Sequence, residues 1–370
     1  MIKQYHIAVV GARAVGREMI RVLRQRNFPA AEVRVFARSA RRIDVDGEPF
    51  EVQEVSEDVF RGVDIALFAG GDKAEGHFGW PAVEAGAVVI DNGSAYRLDP
   101  RVPLVVPEVN PEDLRSHQGF VANPNCSTIQ MVHALKPLHD AAGLRRVVVS
   151  TYQAVSGRGA SPEGSEPVET LYRELKDLVG RIDAALGNPR PALAVEDRMQ
   201  AILRAVEQAG DDLVADSTLF PHAIAGNCLP QVDAFLEDGY SKEEVKMVHE
   251  TRKILGLPDL PITATTVRVP VFNAHSESVN VELERPLSPE QARAWLAAFP
   301  GIAVLDDPPA QVYPLAISAS GRDEVFVGRI RRDPTVSHGL NLWVVSDNLR
   351  KGAALNAVQI AEKMVEMRLL

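Results

Sequence analysis

Hydrophobic positions in the first third of the chain come in short unbroken runs. Tyr5-His-Ile-Ala-Val-Val10 is closed by Gly11, the pattern of a buried strand. From Gly16 to Arg26, Met19, Ile20 and Leu23 recur at helical spacing. Val33–Phe36, Asp64–Phe68 and Ala87–Ile90 read as further strands, with a helix-length segment from Gly76 to Ala85. This alternation predicts a parallel, doubly wound sheet over residues 1–125. Beyond it the pattern changes. Arg145–Gln153 is a Val-rich strand, and Pro167–Gln208 is mostly helical with a break at Gly187-Asn-Pro-Arg-Pro191. Strands are predicted at Thr265–Val271, Ser278–Leu283, Glu324–Arg331 and Leu340–Val345. The alternation in Val279-Asn-Val-Glu-Leu283 suits an antiparallel sheet with one solvated face. Asn348–Leu370 is predicted to be a helix, with Leu355, Val358, Ile360, Met364 and Val365 on its apolar face.

A length of 370 residues fits the two domains that this change of pattern marks, the second spanning 126–346. The net charge of −10 gives no general attraction to nucleic acid or anionic membrane. Apolar runs such as Ile7–Val10 and Ala85–Ile90 fall far short of the roughly 18 residues of a membrane span. No charged-then-apolar leader with a small-residue cleavage site opens the chain. Cys126 and Cys228 are too few for a disulfide framework or a cysteine-rich metal site, and no metal is expected. Cys228 is read as a packing residue. The expected class is a cytoplasmic enzyme.

Gly11-Ala-Arg-Ala-Val-Gly16 follows a strand and opens a helix, where a dinucleotide pyrophosphate meets backbone N–H groups. The middle glycine of G-x-G-x-x-G is absent, and such a loop also occurs as a plain turn. Arg17-Glu18 stands where a P-loop carries Lys-Ser/Thr, which disfavours a nucleotide triphosphatase. NAD binders place an acid about 20 residues on. Here Phe36-Ala-Arg-Ser-Ala-Arg-Arg42 holds no acid and three arginines, which favours the 2′-phosphate of NADP. A solvated basic turn is the alternative. Asn123-Pro-Asn-Cys-Ser-Thr128 precedes a second helical pattern. A cysteine at a helix N-terminus has its thiolate favoured, and the Asn125 amide beside it is placed to donate to an oxyanion. Without further company, such a cysteine reads equally as a small buried hydrophobe.

That company is extensive. Asn125-Cys-Ser-Thr128, Ala69-Gly-Gly71, Ile90-Asp-Asn-Gly-Ser-Ala-Tyr-Arg97 and Val105-Val-Pro-Glu-Val-Asn110 occur in order. Thr151-Tyr-Gln-Ala-Val-Ser-Gly157, Glu243-Glu-Val-Lys246, Arg268-Val-Pro-Val271 and Ala274-His-Ser-Glu-Ser278 follow. Val327-Gly-Arg-Ile-Arg331 and Trp343-Val-Val-Ser-Asp-Asn348 complete the set. Over nearly its whole length the chain resembles the aspartate-β-semialdehyde dehydrogenase family.

The resemblance implies a Rossmann-like NADP-binding domain, completed by a C-terminal helix over 347–370, and an α+β catalytic and dimerisation domain. It implies Cys126 as nucleophile, Asn125 at the oxyanion, His275 as the acid/base that takes the thiol proton, and Gln153 orienting substrate. Arg268 would grip the substrate α-carboxylate, Glu243 the α-ammonium, and Arg97 and Lys246 the phosphate. Glu243 and Lys246 stand at i and i+3 and read otherwise as a surface ion pair. Arg38 and Ser39 would meet the 2′-phosphate of NADP. Gly11, Ala12, Arg13, Ala14, Val15, Gly16, Gly71, Ser156, Gly157 and Asn348 would line the rest of the cofactor. The implied activity is NADPH-dependent reduction of L-4-aspartyl phosphate to the semialdehyde by a homodimer, with inorganic phosphate released. N-acetyl-glutamyl-phosphate reductase and a non-catalytic paralogue are the alternatives. The chain departs from the family in its glycine loop, which lacks one glycine and is one residue shorter, and in His222-Ala-Ile-Ala-Gly-Asn-Cys-Leu-Pro230.

Overall fold

A computed structural model describes residues 3–70, 76–160, 164–187, 195–212 and 219–370. Strands β1 (Tyr5–Val10), β2 (Ala30–Ala37), β3 (Arg41–Val45), β4 (Glu48–Glu54), β5 (Ile65–Phe68), β6 (Val88–Asp91) and β7 (Phe120–Ala122) form one sheet. Their order is β3-β4-β2-β1-β5-β6-β7, parallel except for the β3–β4 hairpin. The apolar runs of β1 and β5 are almost wholly buried, which is why neither alternates. Helix α1 (Ala14–Gln25) packs Met19, Ile20, Val22 and Leu23 onto this sheet, and the short α2 (Gly79–Glu84) precedes β6.

The hairpin is absent from the sequence reading. Its strands are polar and exposed at the sheet edge, so hydrophobic periodicity is weak there. The Asp46-Gly47 turn has φ of 55° and 84°, the two positive values of a type I′ turn.

The second sheet contains β8 (Leu144–Gln153), β9 (Ile262–Arg268), β10 (His275–Leu283), β11 (Ile302–Val304), β12 (Val325–Asp333) and β13 (Gly339–Ser346). Its order is β11-β12-β13-β10-β8-β9, with the three central pairings antiparallel and both edge pairings parallel. β9 begins and ends three residues earlier than the alternation suggested, at Ile262 and Arg268, and Pro270 lies just beyond.

Helix α3 (Cys126–Ala142) packs Met131, Leu135 and Leu138 against Val147, Val149, Val279 and Val281 of this sheet. Then come α4 (Pro167–Leu186), α5 (Val195–Asp212), α6 (Lys242–Leu255), α7 (Pro289–Ala298) and the one-turn α8 (Ala316–Ala319). The predicted break between α4 and α5 falls largely outside the described residues. A capping box of Ser241 and Glu244 starts α6, and the other Glu244 oxygen accepts from Thr266 N–H of β9 at 2.9 Å.

The C-terminal stretch is not one regular helix. A wider π-type turn at Arg350–Ala354 precedes α9 (Leu355–Glu366). Gly352 in that turn passes so close to α3 that a Cβ would stand 2.9 Å from Cys126 Cβ. The apolar face of α9, with Leu355, Val358, Ile360 and Met364, lies in the same core as Ile7, Val9 and Met19. The last helix therefore returns to the first sheet.

Candidate active site

Cys126 is the first residue of α3, and Asn125 is its N-cap: Asn125 Oδ1 accepts from Ser127 N at 2.9 Å and Thr128 N at 3.2 Å. Asn125 Nδ2 donates to Glu243 Oε1 at 2.8 Å. The oxyanion donor read from the sequence is thus engaged at both ends of its amide. Gln153 Nε2 donates to Ser127 Oγ at 2.6 Å and to the same Glu243 oxygen at 3.2 Å. Glu243 is buried and holds two amides beside the thiol, with Lys246 Nζ 3.6 Å from its other oxygen. Lys246 also pairs with Asp233 at 2.8 Å. Both Glu243 and Lys246 line the cleft rather than a free helix surface.

Strand ends supply the other groups. Arg268 and Gln153 are register partners at the ends of β9 and β8, and His275 starts β10 on the other side of β8. The backbone of Ala154 fixes two of the three strand-end groups. Its N–H donates to His275 Nδ1 at 3.0 Å, and its carbonyl accepts from Arg268 Nη1 at 2.6 Å. A neutral imidazole accepting at Nδ1 carries its proton on Nε2, so this bond assigns the tautomer. Among the described residues nothing bonds that buried Nε2. Burial, helped by the Arg268 charge, holds the imidazole well below its usual range.

The thiol departs from expectation. A helix terminus alone favours the thiolate, but burial, seconded by the Glu243 carboxylate, pushes Cys126 up to about 12 against the opposing pull of Arg268 and Arg97. Cys126 is half-buried, whereas Cys228, read as packing, is exposed.

A cleft of about 1090 Å³ runs from the glycine loop to the thiol. Gly11, Ala12, Arg13, Ala14, Val15 and Gly16 line one end with Arg38 and Ser39, and Ser156, Gly157 and Asn348 line the middle. A Cβ on Gly16 would stand 1.7 Å from the Gly11 carbonyl, so only glycine lets α1 begin so near the loop. Asn348 Oδ1 accepts from Ala274 N–H at 3.0 Å, and its Nδ2 donates to Ser156 Oγ at 3.0 Å. Gly71 lies outside the described residues. An exposed guanidinium at the end of β2 and the amides at the start of α1 are donors suited to a dinucleotide with an extra phosphate.

Residues 6–117 match the semialdehyde dehydrogenase NAD binding domain, and residues 135–351 match the semialdehyde dehydrogenase dimerisation domain. The aspartate-semialdehyde dehydrogenase of Aquifex aeolicus is 47% identical over 99% of both chains, and that of Bacillus subtilis is 44% identical over 99% of both. The chain belongs to the aspartate-semialdehyde dehydrogenase family. A crystal structure of aspartate semialdehyde dehydrogenase II from Vibrio cholerae superposes with a TM-score of 0.83 at 41% identity, covering 98% of this chain and 99% of that one. The Vibrio enzyme has also been solved complexed with ASA.

The aspartate-semialdehyde dehydrogenase family is one of oxidoreductases, and the first sheet of this chain is its NAD(P)-binding part. Sequence reasoning missed Ala154, which acts only through its backbone, and Glu250 of α6. Glu250 Oε1 accepts from Arg97 Nη1 at 3.0 Å and Oε2 from Asn125 N at 2.7 Å. Among the described residues no helix is long and apolar enough to cross a membrane, and no cluster of His, Cys, Asp or Glu is arranged to hold a metal.

Proposed function

We propose that this chain catalyses the NADPH-dependent reductive dephosphorylation of L-4-aspartyl phosphate to L-aspartate 4-semialdehyde, a reaction of lysine, threonine and methionine biosynthesis. The convergence of Cys126, Gln153, Arg268 and His275 at the head of α3 and the ends of β8, β9 and β10 carries this reading.

Arg268 binds the substrate α-carboxylate, and Glu243 binds the α-ammonium. That ammonium offsets the carboxylate charge which, after burial, opposes thiolate formation, so substrate binding itself favours the reactive form of Cys126. Cys126 Sγ then attacks the acyl carbon, the C–O bond to phosphate breaks, the thiol proton passes to the departing phosphate, and a thioester forms on the cysteine while Arg97 and Lys246 hold the leaving anion. Arg38 and Ser39 would hold the 2′-phosphate of NADPH, which when bound would supply hydride to the thioester carbon. His275 donates its Nε2–H as a hydrogen bond to the oxygen that becomes negative, and collapse of the adduct expels the thiolate. In this tautomer the ring stabilises the oxyanion; taking the thiol proton at Nε2 would first require breaking its bond to Ala154.

The open face of the second sheet, where the rings of Tyr152 and Trp343 meet at a tilt of 46° with centroids 5.4 Å apart, would meet the same face of a second copy in a homodimer.

The test is phosphate-dependent reduction of NADP⁺ and NAD⁺ by the purified protein with L-aspartate β-semialdehyde, beside Cys126→Ala. NADP-linked turnover lost in the variant is expected. A folded wild-type protein inactive with both cofactors would overturn the assignment, and turnover of the N-acetyl-glutamyl analogue instead would redirect it.

A further inference from the structure

Helix α6 carries Glu243, Lys246, Glu250 and Lys253 at i, i+3, i+7 and i+10, one face of the helix with alternating charge. On an isolated helix this is a stripe of ion pairs. Here Glu243 and Lys246 do pair along the helix, but each of the four charges also has a tertiary partner. Lys253 Nζ donates to the carbonyls of Arg97, Asp99 and Val102 at 2.8, 2.9 and 2.7 Å, holding the loop that presents Arg97. Glu250 then takes the guanidinium itself. Its side chain is 1% exposed and that of Arg97 is 9% exposed. The second Glu250 oxygen accepts the backbone N–H of Asn125, the residue before the nucleophile.

We propose that Glu250 is a positioning residue that fixes the phosphate-binding arginine relative to the start of the nucleophile helix. The inference rests on the reading of Arg97 as a phosphate ligand. A carboxylate is the group this place requires, because it presents two acceptors to two donors on different segments. Arg97 Nη2 is held by the Asn92 carbonyl at 2.6 Å, and its buried Nε has no partner among the described residues. Glu250 therefore leaves the guanidinium anchored on one edge with a donor still to be used by an anion. The sulfur adds to one face of the acyl carbon that carries the leaving phosphate, so thiol and phosphate site must both reach one carbon, and a rigid link between Arg97 and Asn125 sets the distance that the reaction needs.

The test uses the full-length chain with Cys228→Ser, which removes the exposed thiol. Iodoacetamide alkylation of Cys126 is followed against inorganic phosphate concentration, in parallel with steady-state turnover. Phosphate is expected to slow alkylation in the parent. Glu250→Asp keeps the charge but falls one methylene short of spanning both donors, and Glu250→Gln keeps the length but offers one acceptor. Loss of one charged hydrogen bond is expected to raise the half-saturating phosphate concentration about tenfold in either variant. The KM for phosphate should rise in step, with the KM for NADP⁺ moving less than about twofold. If either variant fails to fold, the other carries the test.

Lower thermal stability with phosphate half-saturation unchanged would make Glu250 merely structural and overturn the proposal. So would a parent protein whose alkylation ignores phosphate. A parent that responds to phosphate yet does not turn over would sink the functional reading alone, because the alkylation shift reports on Glu250 without turnover.

Discussion

Gly157 sits so close to the ring of His275 that no side chain fits between them. A Cβ on it would stand 2.7 Å from both imidazole Cε1 and Nε2 and 3.2 Å from Arg268 Nη1. Glycine is needed here for space. Gly157→Ala is expected to push the imidazole or the guanidinium out of place. A displacement of about 1 Å in a catalytic group costs on the order of 100-fold in rate. The variant should lose about that much kcat while its melting curve stays close to wild type. Turnover within about twofold of wild type would mean that the ring position tolerates the methyl group.

Cys126 and Glu243 give a prediction in which two readouts move in opposite directions. Burial first, and the Glu243 carboxylate second, hold the thiol at about 12, so at neutral pH it is protonated in the free protein. Glu243→Gln removes a charge that raises the thiol pKa, so the thiolate fraction at a given pH must increase. Each unit recovered is about tenfold in thiolate. Alkylation of Cys126 between pH 7 and 9, in the Cys228→Ser background, should therefore accelerate. Turnover should fall if, as proposed, Glu243 is the partner of the substrate ammonium. Slower alkylation in Glu243→Gln would show that the carboxylate does not keep the proton on sulfur.

The same pair shows why some of the site was legible in the sequence and some was not. Buried parallel strands such as β1 and β5 announce themselves as unbroken apolar runs, and Asn125-Cys-Ser-Thr128 reads as a capped helix start from local rules alone. The thiol's protonation does not follow from those rules. It depends on burial and on Glu243, which reaches Asn125 only through the packing of α6 on α3. Glu250 and Lys253 were hidden for the same reason, since alternating charges on a helix look like solvated ion pairs until their partners are known. Ala154 offers no side-chain signal at all. The β3–β4 hairpin is different: Asp46-Gly47 was a readable turn signal, and the polar edge strands around it drew attention away.

Arg38 is exposed at the end of β2 and lines the cleft beside the glycine loop. A charge-assisted hydrogen bond from a guanidinium to a phosphate contributes about 1.5–3 kcal/mol, or roughly 10- to 150-fold in binding. Arg38→Ala is expected to raise the KM for NADP⁺ within that range and to leave the KM for NAD⁺ nearly unchanged, which steady-state titration of both cofactors checks. An equal loss with both cofactors would place Arg38 at the pyrophosphate or in the fold rather than at the 2′-phosphate.

Lys351, in the π-type turn between β13 and α9, is 1% exposed, and its ammonium donates to Glu108 at 2.7 Å, Asn356 at 3.0 Å and Gln359 at 2.7 Å. Burial, the largest single effect, raises the Glu108 pKa, but the Lys351 charge, His133 and the hydrogen bonds to the carboxylate together outweigh it and bring the carboxyl from 4.5 down to about 2. A folded pKa below the unfolded one gives stability that is present above about 4.5 and lost as pH falls toward 2. Lys351→Met leaves the carboxylate buried without its cation, an expected loss of about 3–5 kcal/mol at pH 7. In that variant the largest opposing effect is gone, and only His133 and hydrogen bonds such as that from Gln359 Nε2 still oppose burial, so the Glu108 pKa rises and acid neutralises the orphaned charge instead of breaking a pair. The stability gap between wild type and variant should thus be widest at pH 7 and narrow as pH falls toward 3. Chemical denaturation at both pH values measures it, and a gap of equal size at each would mean that the ion pair is not what Lys351 contributes.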